Sequence, residues 1–241
     1  MTGGGDDSER QRQALLRQLR ARYRTRTDPL TLGPMTVEFV RCADPDAVLD
    51  EVAAEADAAE KASGVRDPTG DTLHLPYWAE LWDSSFVVGA MLAGSDLRQV
   101  RVLDLGCGMG LTAAAAAYAG ASVVAADLEP PALQFTRLNT WPWRQRVTVR
   151  ETNWQTDDLG ERFPLIVGAD ILYERAQWPY LDRFFRRHLA EGGRVLLGEP
   201  GRQTGEAFVP WARDAGWSAE VSFHPTPTRP VPVRVIVLRQ R

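Results

Sequence analysis

The sequence predicts an α/β fold in which helices flank a doubly wound, mainly parallel seven-stranded sheet, with an N-terminal helical extension in front of it. Three observations predict this fold. From residue 100 onward, short apolar segments typical of strands alternate with helical segments. A glycine-rich turn directly follows the first of these strands, and only a proline-rich turn separates the last two strands. The alternation indicates βαβ units, and the final pair indicates an antiparallel last strand.

The elements of this sheet follow one another regularly along the chain. We expect strands at residues 100–105, 122–126, 147–151, 165–169, 194–198, 219–223 and 233–238. We expect helices at residues 111–119, 131–139, 178–190 and 205–215. A helix between two strands lets the second strand run parallel to the first, whereas the turn at residues 225–230 is too short for that. We therefore expect an antiparallel hairpin at the sheet edge, with the strand at residues 233–238 inserted.

Residues 1–63 are predicted to form the extension. The pattern indicates an amphipathic, arginine-rich helix at residues 8–26, a strand at residues 36–41 and a helix at residues 44–63. The arginines of the first helix could dock an acidic partner, but its apolar stripe favours simple packing onto the protein. Turn-forming residues at positions 63–71 place the boundary there, so the main domain is expected at residues 64–241.

Composition and charge narrow the class of protein. The 241-residue chain has a formal net charge of −4, and no apolar run approaches the ~20 residues that span a bilayer. We therefore expect no membrane span, and nucleic acid is not an expected partner. The polar N-terminus lacks the apolar core of a secretory signal, which predicts a cytoplasmic protein. The two cysteines and three histidines are scattered, so no protein-bound metal is expected.

The turn after the first strand is the strongest candidate for a ligand site. It reads Asp104-Leu-Gly-Cys-Gly-Met-Gly110, so that Gly106, Cys107 and Gly108 lie at its centre. Glycines let the main chain turn sharply and let a ligand approach the backbone at a helix N-terminus. Dinucleotide-binding turns read GxGxxG, whereas here the third glycine comes one residue earlier and a leucine follows. This register favours a ligand without phosphate groups.

Two carboxyl groups flank this turn. Asp104 precedes the glycines, and Asp127 ends the second strand, where a carboxylate can accept hydrogen bonds from both ribose hydroxyls. Negative charge beside the turn suits a cationic cofactor better than a diphosphate. We therefore predict S-adenosyl-L-methionine as the cofactor. The residues leave open a purely structural turn or another nucleotide.

Further motifs extend the pattern over residues 75–241. Residues 75–85 read LPYWAELWDSS, residues 151–155 read ETNWQ, and Asp170-Ile-Leu-Tyr173 directly follows the fourth strand. Together with the glycine turn, these motifs resemble the seven-strand (class I) S-adenosylmethionine-dependent methyltransferases. More narrowly, they resemble the family-sixteen protein lysine methyltransferases, which include the branch that acts on the electron-transfer flavoprotein β-subunit.

The resemblance implies a set of functional residues. The glycine turn would wrap the methionine part of the cofactor, Asp127 would hold the ribose, and Trp154 would lie against the adenine. The DxxY motif of the family, which residues 170–173 match, would place Asp170 and Tyr173 beside the acceptor amine as catalytic residues. The implied cofactor-binding residues are Trp82, Asp104, Gly106, Cys107, Gly108, Gly110, Asp127, Leu128, Asn153, Trp154 and Asp170. Trp154 could instead be a core residue.

Other assignments also have structural alternatives. Asp170 could cap a loop while Tyr173 packs in the core. Trp78 and Trp82 are four residues apart, which predicts that both lie on one helical face, either packing there or lining the pocket. A plain turn is expected at residues 199–202, although it could border the substrate mouth.

The functional hypothesis is an N-methyltransferase that transfers a methyl group to a protein side chain, namely lysine. Asp170 and Tyr173 would orient the amine, while Trp82 and Trp154 would favour its neutral form. The alternatives are a methyltransferase for a small metabolite or natural product, and an inactive cofactor-binding partner. An open acidic groove beside Asp170 would suit a basic polypeptide, whereas a closed aromatic pocket roofed by residues 1–63 would suit a small molecule. The expected partner is thus a protein or small-molecule methyl acceptor, bound by a monomer.

Overall fold

Helices and strands alternate along most of the chain, as shown by a computed structural model that describes residues 3–63, 75–227 and 229–241. The strands are β1 (Thr25–Leu32), β2 (Met35–Cys42), β3 (Arg101–Leu105), β4 (Ser122–Asp127), β5 (Val147–Glu151), β6 (Phe163–Ala169), β7 (Leu189–Glu199), β8 (Trp217–Thr226) and β9 (Arg229–Gln240). The helices are α1 (Gly3–Arg22), α2 (Pro45–Ser63), α3 (Asp83–Ala93), α4 (Leu111–Tyr118), α5 (Pro130–Asn139), α6 (Trp178–His188) and α7 (Gln203–Asp214). Short 3₁₀ helices cover Tyr77–Ala79, Trp141–Trp143 and Arg175–Gln177. Within the described ranges, no helix has the length and apolar character needed to cross a membrane.

Seven strands form one sheet in the order β5-β4-β3-β6-β7-β9-β8. The strands from β3 to β7 run parallel, whereas β9 is antiparallel to both of its neighbours, β7 and β8. The predicted doubly wound, mainly parallel sheet with an antiparallel last strand is therefore confirmed. Val102, Leu103 and Leu105 of β3 are completely buried, because helices cover both faces of the central strands.

The N-terminal extension contains a β-hairpin as well as two helices. β1 pairs antiparallel with β2, from Thr25 opposite Cys42 to Leu32 opposite Met35. The sequence predicts β2 but not β1, and the prediction of a first helix reaching residue 26 is wrong, since α1 ends at Arg22. The reason is that backbone hydrogen bonds to β2 hold these polar residues extended, which local side-chain spacing does not reveal.

The extension packs directly against the main sheet layer. Leu19 of α1 and Met35 and Phe39 of the hairpin are completely buried in one apolar core with residues of α4 and α5. The division of the chain into an extension and a main domain stays a prediction, because residues 64–71 at the expected boundary lie outside the described residues.

A single buried amide fixes the hairpin to the rest of the protein. Oδ1 of Asn139, at the end of α5, accepts a hydrogen bond from the Val40 N–H at 2.8 Å. Its Nδ2 donates to the carbonyl oxygens of Val40 and Met109, both at 2.9 Å. Because Met109 belongs to the glycine-rich turn after β3, this side chain links the extension to that turn.

Candidate active site

A cavity of about 560 Å³ opens at the carboxyl ends of β3, β4, β5 and β6. From β3 the neighbouring strands are β4 on one side and β6 on the other, so the strand order reverses here. Open α/β sheets bind their ligands at such a point, and a cavity of this size suits a small-molecule cofactor. The residues lining the cavity lie between positions 75 and 180, and none of residues 3–63 is among them.

The turn after β3 forms one wall of the cavity. Gly106 and Gly108 have left-handed backbone angles, with φ of 67° and 52°. A Cβ atom on Gly106 would lie 2.6 Å from Cγ2 of Ile171, so only glycine fits there. The Cys107 N–H donates to the Ala126 carbonyl at 3.0 Å, which ties the turn to the end of β4. Bare main chain therefore faces the cavity, as close contact with a ligand requires.

Asp127 ends β4 at the edge of the cavity. Its Oδ2 accepts a hydrogen bond from the Gly108 N–H at 2.8 Å, and its Oδ1 accepts one from the Glu129 N–H at 3.0 Å. Burial raises the pKa of Asp127, although both N–H groups favour the carboxylate. Each carboxylate oxygen has two lone pairs, so acceptor capacity remains for a ligand. Leu128, the next residue, also lines the cavity.

Two predicted cofactor residues, Asp104 and Gly110, do not line the cavity. Asp104 is 1% exposed, and its Oδ2 accepts a hydrogen bond from Oγ1 of Thr112 at 2.7 Å. Its Oδ1 has no hydrogen-bond partner in the described part of the chain, and burial raises the pKa of Asp104 to about 7. Gly110 immediately precedes α4 as its N-cap residue and packs against Thr136 of α5. Both residues support the turn from behind, and direct contact of either with a cofactor stays a prediction.

Trp154 follows β5 and lies close to the glycine-rich turn, with its ring 3.7 Å from the position of a Cβ atom on Gly106. The indole N–H donates to Oε1 of Gln177 at 3.1 Å, and the Gln155 side-chain amide donates to the same oxygen at 2.9 Å. The ring is only partly buried and lines the cavity together with Asn153. A fixed, partly exposed indole can stack on a flat base, which favours the pocket role over the core alternative.

Asp170 directly follows β6 and has a left-handed φ of 62°, which is uncommon for a residue other than glycine. Its N–H donates to the Gly198 carbonyl of β7 at 2.8 Å. Its side chain is 3% exposed, and Oδ1 is paired with the guanidinium of Arg202. Oδ2 has no hydrogen-bond partner among the residues described. Burial raises the pKa of Asp170, and Arg202 opposes that effect.

Three aromatic rings cluster at the cavity beside the DxxY motif. The Tyr77 ring centroid lies 6.4 Å from that of Trp82 and 5.3 Å from that of Tyr173. Burial raises the pKa of Tyr173, so its phenol remains protonated at neutral pH. All three residues line the cavity, as Asp170 does, so aromatic surface and a carboxyl group share its wall.

The prediction that Trp78 and Trp82 share one helical face is wrong. Trp78 lies in a 3₁₀ helix that ends at Ala79, and Glu80 is extended, so no helix joins the two tryptophans. Trp78 is buried, with its ring centroid 5.8 Å from that of Phe135, whereas Trp82 is partly exposed at the start of α3. Both tryptophans line the cavity, but of the two it is Trp82 whose ring contacts that of Tyr77.

Two further residues, Arg202 and Gln177, lie at the site without a role assigned from the sequence, although residues 199–202 were considered as a border of the substrate mouth. The predicted plain turn at residues 199–202 carries Arg202, which pairs with Asp170 and has its guanidinium carbon 5.0 Å from the Trp82 ring centroid. A signal existed, since residues that follow the neighbouring parallel strands β6 and β7 meet at one sheet edge. Gln177, the partner of Trp154, had no comparable signal in the sequence.

The lining of the cavity is acidic. Its charged residues are Glu80, Asp127, Glu129, Asp170 and Glu174, and no lysine or arginine of the described ranges lines it. A diphosphate would be repelled there, whereas the ammonium and sulfonium groups of adenosylmethionine would be attracted. The glycine turn at Gly106 and the partly exposed indole of Trp154 also fit the methionine and adenine parts of that cofactor.

A doubly wound sheet with a carboxylate-lined cavity at its switch point is the fold and site expected of a Rossmann-like methyltransferase. Comparison with known families agrees. Residues 9–227 match the methyltransferase-domain family, and the chain belongs to that family.

Several relatives and solved structures are similar to the chain. It is 36% identical over 143 residues to the electron transfer flavoprotein beta subunit lysine methyltransferase of Xenopus laevis, covering 56% of this chain and 55% of that one. It is 37% identical over 137 residues to protein N-lysine methyltransferase METTL21A of Danio rerio, covering 53% and 62%. The chain thus spans little more than half the length of these relatives. A TehB-like SAM-dependent methyltransferase from Corynebacterium glutamicum shares the fold, with a TM-score of 0.52, 21% identity and coverage of 79% and 97%.

Proposed function

We propose that the protein is an S-adenosylmethionine-dependent methyltransferase whose acceptor is a lysine side chain of another protein. The observation that carries this proposal is the acidic cavity. The glycine-rich turn and Asp127 line it together with the DxxY pair, Asp170 and Tyr173. The similarity to two protein lysine methyltransferases supports lysine as the acceptor.

Adenosylmethionine would supply an electrophilic methyl group, held by the glycine turn, Asp127 and Trp154. The task of the protein is then to align an amine behind that methyl group and to exclude water. A lysine amine with an ordinary pKa of about 10.4 needs roughly 4–5 kcal/mol to lose its proton at neutral pH. Asp170 and the Trp82 ring attract the ammonium, and Asp170 accepts a hydrogen bond from the amine, while loss of hydration in the cavity favours the neutral form.

The geometry does not favour the small-metabolite alternative. None of residues 3–63 roofs the cavity, and five carboxyl groups line it, which suits a basic polypeptide segment. The inactive-partner alternative gains no support either, because both residues of the DxxY pair lie at the cavity.

We further propose that the protein acts as a monomer in the cytoplasm. Cys42 and Cys107 are both free and buried thiols, which is typical of reducing compartments. Nucleic acid is not proposed as an acceptor, because the net charge is −4 and the cavity is acidic. Light scattering of the purified protein and fractionation of cells test these two points, and a dimer or a membrane-bound fraction would contradict them.

The decisive experiment is a labelled-methyl assay on cell lysate, followed by mass spectrometry of the labelled species. We expect methylated lysine in protein with the natural chain. Asp170→Asn should lower transfer by about a hundredfold or more, since one transition-state contact is typically worth that much, and should leave cofactor affinity nearly unchanged. Asn also tolerates the left-handed backbone at this position.

The matched variant Asp127→Asn should primarily change cofactor affinity, whereas Asp170→Asn should primarily change methyl transfer. Asp127→Asn should weaken binding of adenosylmethionine by about tenfold or more in calorimetry, since hydrogen bonds to a charged group are involved. Label confined to the small-molecule fraction would exclude the lysine acceptor. Unchanged transfer by Asp170→Asn would exclude its catalytic role.

A further inference from the structure

The loop between β7 and α7 places a cation next to Asp170. Nη1 of Arg202 pairs with Oδ1 of Asp170, and the Arg202 guanidinium carbon lies 5.0 Å from the ring centroid of Trp82. A carboxylate and an indole face are the environment that stabilises a cation most strongly. The guanidinium therefore already occupies the surroundings that the proposed function assigns to the acceptor amine.

This ion pair shields the Asp170 carboxylate. The Asp170 side chain is 3% exposed, whereas that of Arg202 is 33% exposed. The guanidinium is thus partly hydrated, so water can solvate it when it moves outward, and another charged group can pair with Asp170 Oδ1 only after that movement. Oδ2 of Asp170 is buried and has no hydrogen-bond partner among the described residues, so it can accept an incoming N–H group only once the guanidinium has moved aside.

The backbone of the loop is anchored separately from this ion pair. The Arg202 N–H donates to Oε1 of Glu199, and Oε2 of Glu199 accepts a hydrogen bond from Nη1 of Arg234 at 2.6 Å. The side chains of Glu199 and Arg234 are 2% and 12% exposed, so this anchor is buried. The Arg202 side chain can therefore leave Asp170 while its backbone remains in position.

We propose that Arg202 is a specificity-determining residue of the acceptor site: its guanidinium holds the place of the acceptor cation, and an acceptor reaches Asp170 only by exchanging an ammonium for that guanidinium. This inference rests on the proposed function, since it takes the acceptor amine to approach Asp170. An alcohol or amide cannot replace the charge, and displacement of Arg202 by such a group would leave a buried carboxylate unpaired. The site therefore selects primary amines that are cationic in water.

Binding of two small probes tests the exchange without methyl transfer. The probes are n-butylammonium, which mimics a lysine side chain, and n-butanol, its neutral analogue, titrated into the full chain saturated with S-adenosylhomocysteine at mildly alkaline pH. Ligand-observed NMR gives both dissociation constants. Arg202→Gln removes the competing cation, so it should bind n-butylammonium about two- to fivefold more tightly, the range expected for a partly exposed ion pair. Its affinity for n-butanol should not change.

Three variants complete the design. Arg202→Lys keeps a competing cation and should stay close to the natural chain, and Arg202→Met serves as a second charge-free variant if Arg202→Gln does not fold. Arg239→Gln is the matched control, because Arg239 is an exposed arginine paired with Glu220. It should bind both probes as the natural chain does.

Two results would overturn the inference. One is n-butylammonium affinity that is unchanged or weaker in the charge-free variants, and the other is an equal gain for n-butanol. The lysate experiment has a separate outcome, because it depends on transfer and these titrations do not. A chain that shows the expected exchange but labels no protein would contradict the proposed acceptor and not the exchange at Arg202.

Discussion

Buried carboxyl groups are the main chemical feature of the site at the scale of single residues. Burial raises the pKa of Asp127, Asp170 and Glu199, and raises that of Asp104 to about 7. Asp104 Oδ1 and Asp170 Oδ2 have no hydrogen-bond partner within the described ranges. Such groups are unfavourable to folding and are typical of ligand sites. The stability of the protein should therefore depend on their protonation.

Asp104 makes the stability of the cofactor-free protein fall as the pH rises. Its pKa is about 7 in the folded protein and about 3.9 in an unfolded chain, so the folded state binds the proton more tightly. The free energy of unfolding should fall between about pH 4 and pH 7 and level off above, by roughly 3–4 kcal/mol from this group. In Asp104→Asn this part of the pH dependence should be lost, as urea unfolding at a series of pH values will show.

The control for this experiment is Asp96→Asn. Asp96 is an exposed carboxyl group whose pKa is lowered to about 2 by its hydrogen bonds to Arg98, so it titrates below the relevant range. Its substitution should leave the slope above about pH 4.5 unchanged. Parallel pH profiles for Asp104→Asn and the natural chain would contradict the role given to Asp104.

The predictable part of the site consists of residues that directly follow a strand. The glycine turn, Asp127 and the DxxY pair could be found because each directly follows an apolar strand, and such positions meet at one sheet edge. The pairing of Asp170 with Arg202 joins residues 32 positions apart, and it depends on side-chain directions that no local pattern contains. For the same reason the sequence could not show that Asp104 and Gly110 lie behind the turn.

At the scale of elements, the close approach of α4 to α5 positions the glycine-rich turn. Gly110, the N-cap residue of α4, has a φ of 87°, and a Cβ atom there would lie 2.8 Å from Oγ1 and 3.0 Å from Cα of Thr136 in α5. The second contact is with backbone, which cannot rotate away. The absence of a side chain at Gly110 therefore sets the distance between the two helices.

Gly110→Ala should destabilise the protein through both strain and overlap. A left-handed alanine costs about 1–2 kcal/mol, and forcing an extra carbon against α5 adds about 1–3 kcal/mol. Gly160→Ala is the matched control, since Gly160 has a φ of 71° but no atom within 4 Å of its Cβ position. Urea unfolding gives the loss of unfolding free energy for each variant. The difference between the two losses is the cost of the overlap alone, because both variants carry the backbone strain. Equal losses of stability would contradict a close helix contact.

Helices and strands with a strong apolar pattern were predictable from the sequence. Those that form through contacts with neighbouring elements were not. The buried strands of the main sheet are apolar runs between glycine, proline and polar turns, so their order and type follow from local pattern. β1 contains Pro29 and polar residues, and it exists because β2 pairs with it. The segment from Trp78 to Trp82 has helical spacing, yet the extended conformation of Glu80 separates its two tryptophans.

At the scale of the whole molecule, Asn139 joins the N-terminal hairpin, α5 and the glycine-rich turn. Its three hydrogen bonds, to Val40 N–H, Val40 C=O and Met109 C=O, are all buried. Apolar packing of the extension accompanies this link, with Leu19 and Phe39 completely buried. The extension is thus part of what holds the glycine-rich turn in place.

Asn139→Ala should weaken both stability and cofactor binding. The loss of three buried hydrogen bonds should cost about 2–4 kcal/mol of unfolding free energy. Because the Met109 carbonyl loses its donor, the turn should become less ordered, and affinity for S-adenosylhomocysteine should fall several-fold in calorimetry.

The control is Arg20→Ala, on the exposed side of α1, which should change neither quantity. A loss of stability in Asn139→Ala with unaltered affinity would show that the extension does not support the turn.

The position of β9 has a consequence for the synthesis of the protein. β9 lies between β7 and β8, and its Arg234 holds Glu199, which anchors the Arg202 loop. On the ribosome, residues 101–154 emerge well before β9. A nascent chain can therefore first form the part of the cavity that contains the glycine-rich turn, Asp127 and Trp154. Until β9 is available, β7 and β8 each have an edge whose backbone groups lack their β9 hydrogen-bond partners. The loop that carries Arg202 is therefore anchored only after translation has delivered residues 229–240.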